Sequence, residues 1–257
     1  MASRPSSSLI DMFEWTARFR LPILLGALAI GVLYAVTGVV RTDRVQPLLL
    51  IGMGLVNLVL FLGAFYAGAR YRPAALVARP DVPAFDVPVS PALVLGAALA
   101  TTLGTAMGAG IVEDALSGDA AWVVAVLFAG LFVVLIAWWW ALALGRFGVR
   151  LRPDGIEDRQ SLGATFIPWE AFDGVDFPAH AGSPHRILLN VSRPGLVRKR
   201  GRRSGEITVV SSLSTDSVFL AGVIHWYAHR PEARAAIGTE SERDRLVSEW
   251  GGGAAIR

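Results

Sequence analysis

Four long runs of apolar residues dominate the first 144 positions of the chain, and no charged side chain interrupts any of them. An α-helix rises 1.5 Å per residue, so about 20 residues cross the ~30 Å hydrocarbon core of a bilayer. Each run has about that length. The sequence therefore predicts four transmembrane helices, over residues 21–40, 47–69, 91–112 and 121–144.

The second part of the chain has a different composition. Up to Gly145 there are eight basic and eight acidic residues, whereas 16 basic and 13 acidic residues follow, so the net charge of +3 belongs to the second part. The chain has no cysteine, which excludes disulfides, thiolate metal sites and cysteine nucleophiles. We expect a membrane domain at residues 21–145, followed directly by a water-soluble domain.

Arginines flank the predicted helices unevenly. They gather before the first helix, between the second and third, and after the fourth, whereas the third connection has none and carries three acidic residues. Because cytoplasmic loops of membrane proteins are enriched in Lys and Arg, this pattern predicts that both termini are cytoplasmic. Trp138, Trp139 and Trp140 then lie at the inner headgroup boundary, where indole rings are favoured. We expect a multi-pass protein of the cell (inner) membrane.

Small residues recur at every fourth position of the third predicted helix, at Gly96, Ala100, Gly104 and Gly108. This spacing places them on one face, where a neighbouring helix can approach closely. The face predicts a compact four-helix bundle, and contact with a second copy of the chain is the alternative. The polar residues of the four runs include no ionisable group that suits a proton pathway, so proton-coupled transport is not expected. Asn57 is expected to form an interhelical hydrogen bond.

Two segments outside the runs are less regular. Residues 1–20 mix apolar and charged side chains, which is typical both of a short interfacial helix with Trp15 at headgroup level and of a frayed cytoplasmic tail. Residues 70–91 contain five prolines and predict an extended cytoplasmic loop of polyproline II character. This loop either docks on the soluble domain or only covers it.

Beyond Gly145, apolar and polar residues alternate with a period of two, and turn residues separate the alternating stretches. This pattern predicts a tight hairpin followed by further antiparallel strands. An amphipathic helix through His229, capped by Thr215 or Asp216, follows them. The fold class expected is a helical membrane bundle followed by a small β-rich roll closed by a C-terminal helix. The predicted strands are residues 147–152, 156–160, 165–169, 174–177, 186–192 and 206–212.

Three stretches of this part resemble a known family. They are FGVRLRPDGI at 147–156, IPWE at 167–170 and HRPEAR at 229–234. Together they are similar to bacterial PH-like domains, which occur at the cytoplasmic ends of multi-helix membrane proteins, notably in actinobacteria. The resemblance covers residues 146–237 and leaves 238–257 as a C-terminal tail. It implies a PH-type roll, a membrane-associated role and a structural rather than catalytic Trp169.

The first hairpin departs from the PH domains that bind phosphoinositides, because its acidic and basic residues are balanced. The main basic cluster lies later, in a loop interrupted by proline and glycine. Six cations beside a membrane can contact anionic lipid headgroups or a protein partner, or they can simply be solvated. Nucleic acid is not expected, because the interleaved aromatic residues of a stacking platform are missing. The cluster consists of Arg193, Arg198, Lys199, Arg200, Arg202 and Arg203.

Motifs for catalysis are not found. There is no nucleophile elbow, S-x-x-K or P-loop, so no enzyme activity and no cofactor are expected. His225 and His229 have a spacing that can chelate a metal, but they form no H-E-x-x-H pattern, and two partly exposed helix residues are the expected outcome. A second capping box at Thr239 and Glu242 predicts a short helix in the tail.

The expected function is that of a membrane-anchored binding or scaffolding module at the cytoplasmic face. Its expected partners are inner-leaflet lipid, an unknown membrane or cytoplasmic protein, or a second copy of the chain. The alternative is a small transport or channel-like protein that its soluble domain regulates. Only Gly145 and Arg146 separate the last apolar run from the first predicted strand, so the soluble domain is expected to lie close to the membrane.

Overall fold

The structure is a computed structural model in which two compact units are distinguished. One is formed by Met1–Tyr71 and Ser90–Gly145, and the other by Arg72–Val89 and Arg146–Arg257. We call them the helical unit and the β unit. The residues that the structure describes are 12, 15–39, 46–79, 81–116, 122–145, 147–183, 186–202, 209–212 and 214–251.

Among the described residues of the helical unit there are four helices that are long and apolar enough, by length and composition, to cross a bilayer. This confirms the four apolar helices that the sequence predicts, and it agrees with a multi-pass membrane protein. The helices are α1 Arg20–Val39, α2 Gln46–Arg70, α3 Pro91–Leu116 and α4 Trp122–Leu144.

Helix α3 packs against the other three helices through its small residues. A Cβ atom on Gly104 would lie 2.9 Å from Ile136, and one on Gly96 would lie 3.2 Å from the ring of Trp139. Helix α1 approaches even more closely, since a Cβ on Gly31 would lie 1.8 Å from the Thr105 hydroxyl. The predicted intramolecular groove is confirmed at these positions, while Gly108 has no neighbour within 4 Å among the described atoms.

Hydrogen bonds link polar side chains inside the bundle. The Thr102 hydroxyl donates to Asn57 Oδ1 at 2.6 Å, which confirms the interhelical bond predicted for Asn57. Trp140 Nε1 donates to Thr101 Oγ1 at 2.8 Å. Because Thr101 and Thr102 are fully buried, these bonds satisfy groups that would otherwise be costly in an apolar interior.

The first and last helices of the bundle meet at one end. Arg20 Nη1, at the start of α1, donates to the Ala143 carbonyl near the end of α4 at 3.4 Å. Preceding α1, residues 15–18 are helical, and the exposed Trp15 packs on Phe19 with ring centroids 4.9 Å apart. The rest of the predicted interfacial segment lies outside the described residues, apart from residue 12. The cytoplasmic placement of the termini stays a prediction.

In the described part of the β unit there are two antiparallel sheets. There, six strands form the larger sheet in the order β1-β2-β3-β4-β5-β8, and three strands form the smaller one in the order β6-β7-β9. The strands are β1 Val77–Arg79, β2 Ala84–Asp86, β3 Gly148–Arg152, β4 Gly155–Gln160, β5 Gly163–Pro168, β6 Ala179–Ser183, β7 Arg186–Leu189, β8 Arg198–Gly201 and β9 Val209–Ser211.

Strands β1 and β2 come from the segment predicted as a proline-rich loop. The described prolines of that segment lie outside both strands, where a missing N–H costs no ladder hydrogen bond. Phe85 of β2 is fully buried, and β2 pairs with β3 although helices α3 and α4 lie between them in the chain. The helix pair α3–α4 is therefore inserted, in chain order, between two paired strands.

The remaining strands agree in part with the predicted ones. The first hairpin is confirmed as β3 and β4, but residues 174–177 form no strand, because the chain turns at Gly174 with φ of 75°. Strand β7 ends at Leu189, earlier than predicted. Strands β6 and β8 were not predicted.

Helices close the β unit at its C-terminal end. Helix α5, Ser217–His229, begins at Asp216, whose side chain accepts a hydrogen bond from the Phe219 amide, as predicted. A 3₁₀ helix and helix α6, Glu240–Trp250, follow, and Thr239 caps α6. Both sheets, α5 and α6 contribute to one core. Trp169 is buried in this core, and its Nε1 donates to the Arg152 carbonyl at 2.9 Å.

Candidate functional site

The basic cluster predicted as a loop is largely an edge strand. Arg198, Lys199 and Arg200 lie in β8, which pairs with β5 at one edge of the six-stranded sheet. Arg202 follows β8 and its amide donates to the Leu162 carbonyl at 2.9 Å. Arg193 precedes a short 3₁₀ helix, Pro194–Leu196, ahead of the strand. Arg203 lies outside the described residues.

Two glycines allow β8 to lie against the turn between β4 and β5. Gly163 pairs with Gly201, and a Cβ on Gly163 would lie 2.5 Å from the Arg200 carbonyl. Gly201 has φ of 75°, and a Cβ there would lie 2.5 Å from the Leu162 carbonyl. Only glycine fits these two positions without displacing backbone. The charged run forms a strand because this pairing satisfies backbone groups while its long side chains stay in water.

A groove of about 350 Å³ lies beside β8 on the six-stranded sheet. Phe166 of β5 pairs with Arg198 on one side and with Glu157 on the other. The Arg152 guanidinium lies 5.9 Å from the centroid of the Phe166 ring, within the range of a cation–π interaction. The residues that line the groove are Arg152, Asp154, Glu157, Ala164, Phe166, Arg198, Lys199 and Arg200.

Acidic side chains of the groove already have arginine partners. Asp154 accepts from Arg152 at 2.9 Å, and Glu157 accepts from Arg159 at 2.8 Å. The three cations of β8, in contrast, form no ion pair within the part of the chain that the structure describes. All of them are exposed. The edge therefore has an excess of positive charge that is available to an anion from solution.

An ion-pair cluster on neighbouring strands anchors β2 to the sheet. Arg150 of β3 donates to Asp86 Oδ2 at 2.9 Å, and Arg79 of β1 donates to the same oxygen at 3.1 Å. Burial raises the pKa of Asp86, but the hydrogen bonds from Arg150 and Arg79 outweigh it, so this pKa lies below its ordinary value. The hydrogen bond to Asp86 raises the pKa of Arg150. This cluster is structural, since the Asp86 carboxylate already accepts hydrogen bonds from both arginines.

Arg193 is separate from the groove. Its Nη1 lies 3.3 Å from Asp173 Oδ2, and both side chains are more than half exposed. A surface ion pair of this kind contributes little to stability, about 0–1 kcal/mol. The structure thus brings Arg198, Lys199 and Arg200 together on one groove, places Arg202 at the end of their strand, and does not place Arg193 with them.

The histidine pair is adjacent, as its spacing predicts. The rings of His225 and His229 are 4.4 Å apart, and His229 Nδ1 lies 2.9 Å from the His225 carbonyl. Burial, followed by the neighbouring His229, lowers the pKa of His225. Among the described residues, no group of three or more His, Cys, Asp or Glu side chains is placed to hold a metal. The pair by itself is therefore an incomplete metal site.

Sequence reasoning missed Arg152 and Phe166 as members of the groove. Both belong to strands that were predicted, and alternation places Phe166 on the face opposite to the buried Ile167. The sequence did not predict that β8 pairs with β5, because the proline and glycine around the basic cluster are typical of a loop. Comparisons of the chain with protein-family models, with curated proteins and with solved structures give no significant match.

Proposed function

We propose that the protein is a membrane-anchored binding module of PH-like type, whose basic edge strand holds anionic lipid headgroups. The observation that carries the proposal is the set of three cations on β8 that have no acidic partner among the described residues, beside an open groove. The proposal includes a cytoplasmic location, which rests on the distribution of arginines along the chain. It assigns binding rather than catalysis to the groove.

The energetics of such a surface are favourable. A basic residue near an anionic membrane surface gains about 1 kcal/mol, and the gain falls off over a Debye length of about 8–10 Å. Arg198 and Arg200 are two residues apart in β8, so their side chains lie on the same face and one anionic surface can attract both. Charged residues also protect an edge strand from pairing with other chains. That protection alone does not require a groove lined by an aromatic ring such as that of Phe166.

The PH-like part of the proposal has support from the core. Two antiparallel sheets and a C-terminal helix enclose Trp169, and this tryptophan packs 6.2 Å from Tyr227 of α5. The layout agrees with the roll that the sequence resemblance implies. Its strands β1 and β2, however, precede the stretch that carries the resemblance. A fragment that begins at residue 146 would lack the buried Phe85, so experiments need the intact chain.

The proposal can be tested by hydrogen–deuterium exchange of the intact protein in lipid nanodiscs. One set of discs contains phosphatidylcholine, and the other contains phosphatidylcholine mixed with phosphatidylglycerol. We expect the amides of residues 196–202 to exchange several-fold more slowly in the anionic discs. The double variant Arg198→Gln/Arg200→Gln should lose this difference, and high salt should weaken it in the unmodified chain.

A matched control removes two surface arginines from other elements of the β unit. Arg186→Gln/Arg243→Gln changes the net charge by the same amount but leaves β8 intact. We expect this variant to keep the dependence on anionic lipid. Equal exchange of residues 196–202 in both kinds of disc would contradict the lipid proposal and would favour a protein partner for the groove.

The alternative of a small transport or channel-like protein has less support. Inside the bundle, the hydroxyls of Thr101 and Thr102 are engaged with Trp140 and Asn57, so these polar groups serve helix packing. Reconstituted into liposomes, the protein should produce no ion flux above that of empty vesicles. Flux that scales with the amount of protein and changes in β-unit variants would favour the alternative.

A further inference from the structure

Exposed leucines lie at both ends of the basic strand. Leu196, in the 3₁₀ helix before β8, is 41% exposed, and Leu162, in the turn that receives the end of β8, is 59% exposed. Strands rise about 3.3 Å per residue, so the four residues of β8 span roughly 10 Å between the two leucines. The edge thus combines a central row of cations with an apolar side chain at each end.

The backbone holds both leucines in place. The Leu162 carbonyl accepts from the Arg202 amide, and the close approach of Gly163 to Gly201 fixes the turn against β8. The Leu196 amide donates to the Arg193 carbonyl at 3.1 Å, which closes the 3₁₀ turn. Because this backbone is already ordered, burial of the two leucines costs side-chain rotamer freedom but no further ordering of a loop.

We infer that Leu162 and Leu196 are interfacial anchors, which enter the boundary between headgroups and acyl chains when the β8 cations hold anionic lipid. The inference rests on the proposed function and extends it from headgroup attraction to insertion. Surfaces that lie in a membrane interface combine Lys or Arg with apolar side chains in this way. The charge of β8 complements an anionic bilayer, and the helices α1–α4 are long and apolar enough to be embedded in one.

The absence of cysteine from the chain makes the test direct. Single cysteines are introduced into the full-length protein as Leu162→Cys and Leu196→Cys, and each is labelled with the environment-sensitive fluorophore NBD. Val218→Cys is the control, because Val218 is an exposed apolar residue of α5, outside the β5–β8 edge. The labelled proteins are placed in phosphatidylcholine discs with and without phosphatidylglycerol.

In the anionic discs, we expect the labels at positions 162 and 196 to emit at shorter wavelength. Quenching by iodide should fall several-fold, and quenching by lipid with a nitroxide on its acyl chain should rise. The label at position 218 should behave the same in both discs. Adding Arg198→Gln/Arg200→Gln should return the labels at 162 and 196 to their values in neutral discs.

Three results would overturn the inference. If both labels stay accessible to iodide in anionic discs while residues 196–202 still gain amide protection, insertion is wrong and headgroup binding stands. If neither change occurs, both proposals fail. If an acidic peptide, rather than lipid, produces the protection, β8 is a site for strand addition by a protein.

A second measurement needs no label. The double variant Leu162→Ser/Leu196→Ser keeps every cation of β8, so it should retain part of the amide protection that anionic discs give. Several-fold weaker protection than in the unmodified chain supports insertion. Protection equal to that of the unmodified chain would show that the leucines do not enter the membrane.

Discussion

The two units of the chain bury opposite kinds of residue. The buried centre of the helical unit is formed mainly by small residues, such as Ala27, Ala97 and Ala98, while large side chains such as Leu48 and Phe65 are about 70% exposed. The β unit buries Trp169, Tyr227 and Phe85 and exposes the arginines of β8, while Arg150 is buried in its ion pair with Asp86. The difference follows from the solvent. In lipid, exposed apolar side chains carry no free-energy cost, and close approach of helix backbones stabilises the fold. In water, the burial of apolar area stabilises the fold instead.

The largest effect is expected from a large-to-small change in the β unit. Phe85→Ala should lower the free energy of unfolding of that unit by about 3–5 kcal/mol, because it removes a fully buried ring and leaves a cavity. Denaturant unfolding followed by tryptophan fluorescence measures this. Val82→Ala, at an exposed position of the same segment, is the control and should have little effect. Equal effects of both changes would contradict the inclusion of β2 in the core.

A smaller effect is expected where α6 joins the β unit. Tyr227 donates to Glu242 at 2.8 Å, and Arg245 donates to the same carboxylate. Removing the charge by Glu242→Gln should weaken the attachment of α6 by about 1.5–3 kcal/mol, the usual range for hydrogen bonds to charged groups. Hydrogen–deuterium exchange of the amides of residues 240–250 measures this loss of stability. Glu249→Gln, which alters only a solvent-facing pair with Arg245, should have a smaller effect.

The same network predicts a dependence on pH. The hydrogen bond from Arg245 lowers the pKa of Glu242 below its ordinary value of 4.5, although burial opposes the shift. A lowered pKa in the folded state stabilises the protein above pH 4.5, and this contribution is lost as the pH falls through the folded-state pKa. Protection of α6 should therefore decrease in acid. Glu242→Gln should show a flatter profile, and an unchanged profile would exclude Glu242 as the titrating group.

In the helical unit, the corresponding test is a small-to-large change. Gly31→Ala should destabilise the bundle by about 1–3 kcal/mol, because its Cβ would collide with Thr105. Gly26→Ala, on the same helix but with no neighbour within 4 Å of the added Cβ, should be neutral or slightly stabilising. Thermal denaturation in nanodiscs compares the two. If both variants behave alike, α1 does not pack on α3 through Gly31.

The smallest effect is expected from the polar groups of the bundle. Thr102→Val removes the hydrogen bond to Asn57 while keeping the side-chain shape. Such bonds between membrane helices contribute about 0.6 kcal/mol on average, so the melting temperature should change only slightly. Thr37→Val, which removes a hydroxyl bonded only to the backbone of its own helix, is the control. A loss as large as that for Gly31→Ala would show that polar contacts stabilise the bundle as strongly as the close packing of small residues does.

The two units also differ in how much of their structure the sequence could predict. A helix that spans a bilayer needs about 20 consecutive, predominantly apolar residues, so the four helices can be predicted from the sequence alone. The packing face of α3 followed as well, because helix periodicity places Gly96 and Gly104 together. In the β unit, the hairpin of β3 and β4 and the caps at Asp216 and Thr239 were predictable, since each depends on neighbours in the chain.

What the sequence could not reveal depends on distant pairing. Strand β2 pairs with β3 across two membrane helices, and no local pattern marks Phe85 as a core residue. Likewise, β8 is a run of exposed charges that becomes a strand only because β5 offers an edge and Gly163 allows close approach. The candidate site was therefore predicted as a set of cations, while the groove that they share with Phe166 was not.

The central claim is that the basic edge of the β unit contacts anionic lipid. The most direct measurement reconstitutes the intact protein in discs that contain phosphatidylglycerol with a photoactivatable headgroup, and then maps the adducts by mass spectrometry. We predict adducts within residues 196–202, and their loss in Arg198→Gln/Arg200→Gln but not in Arg186→Gln/Arg243→Gln. Adducts confined to α1–α4 and their flanking residues, with none in β8, would contradict the claim.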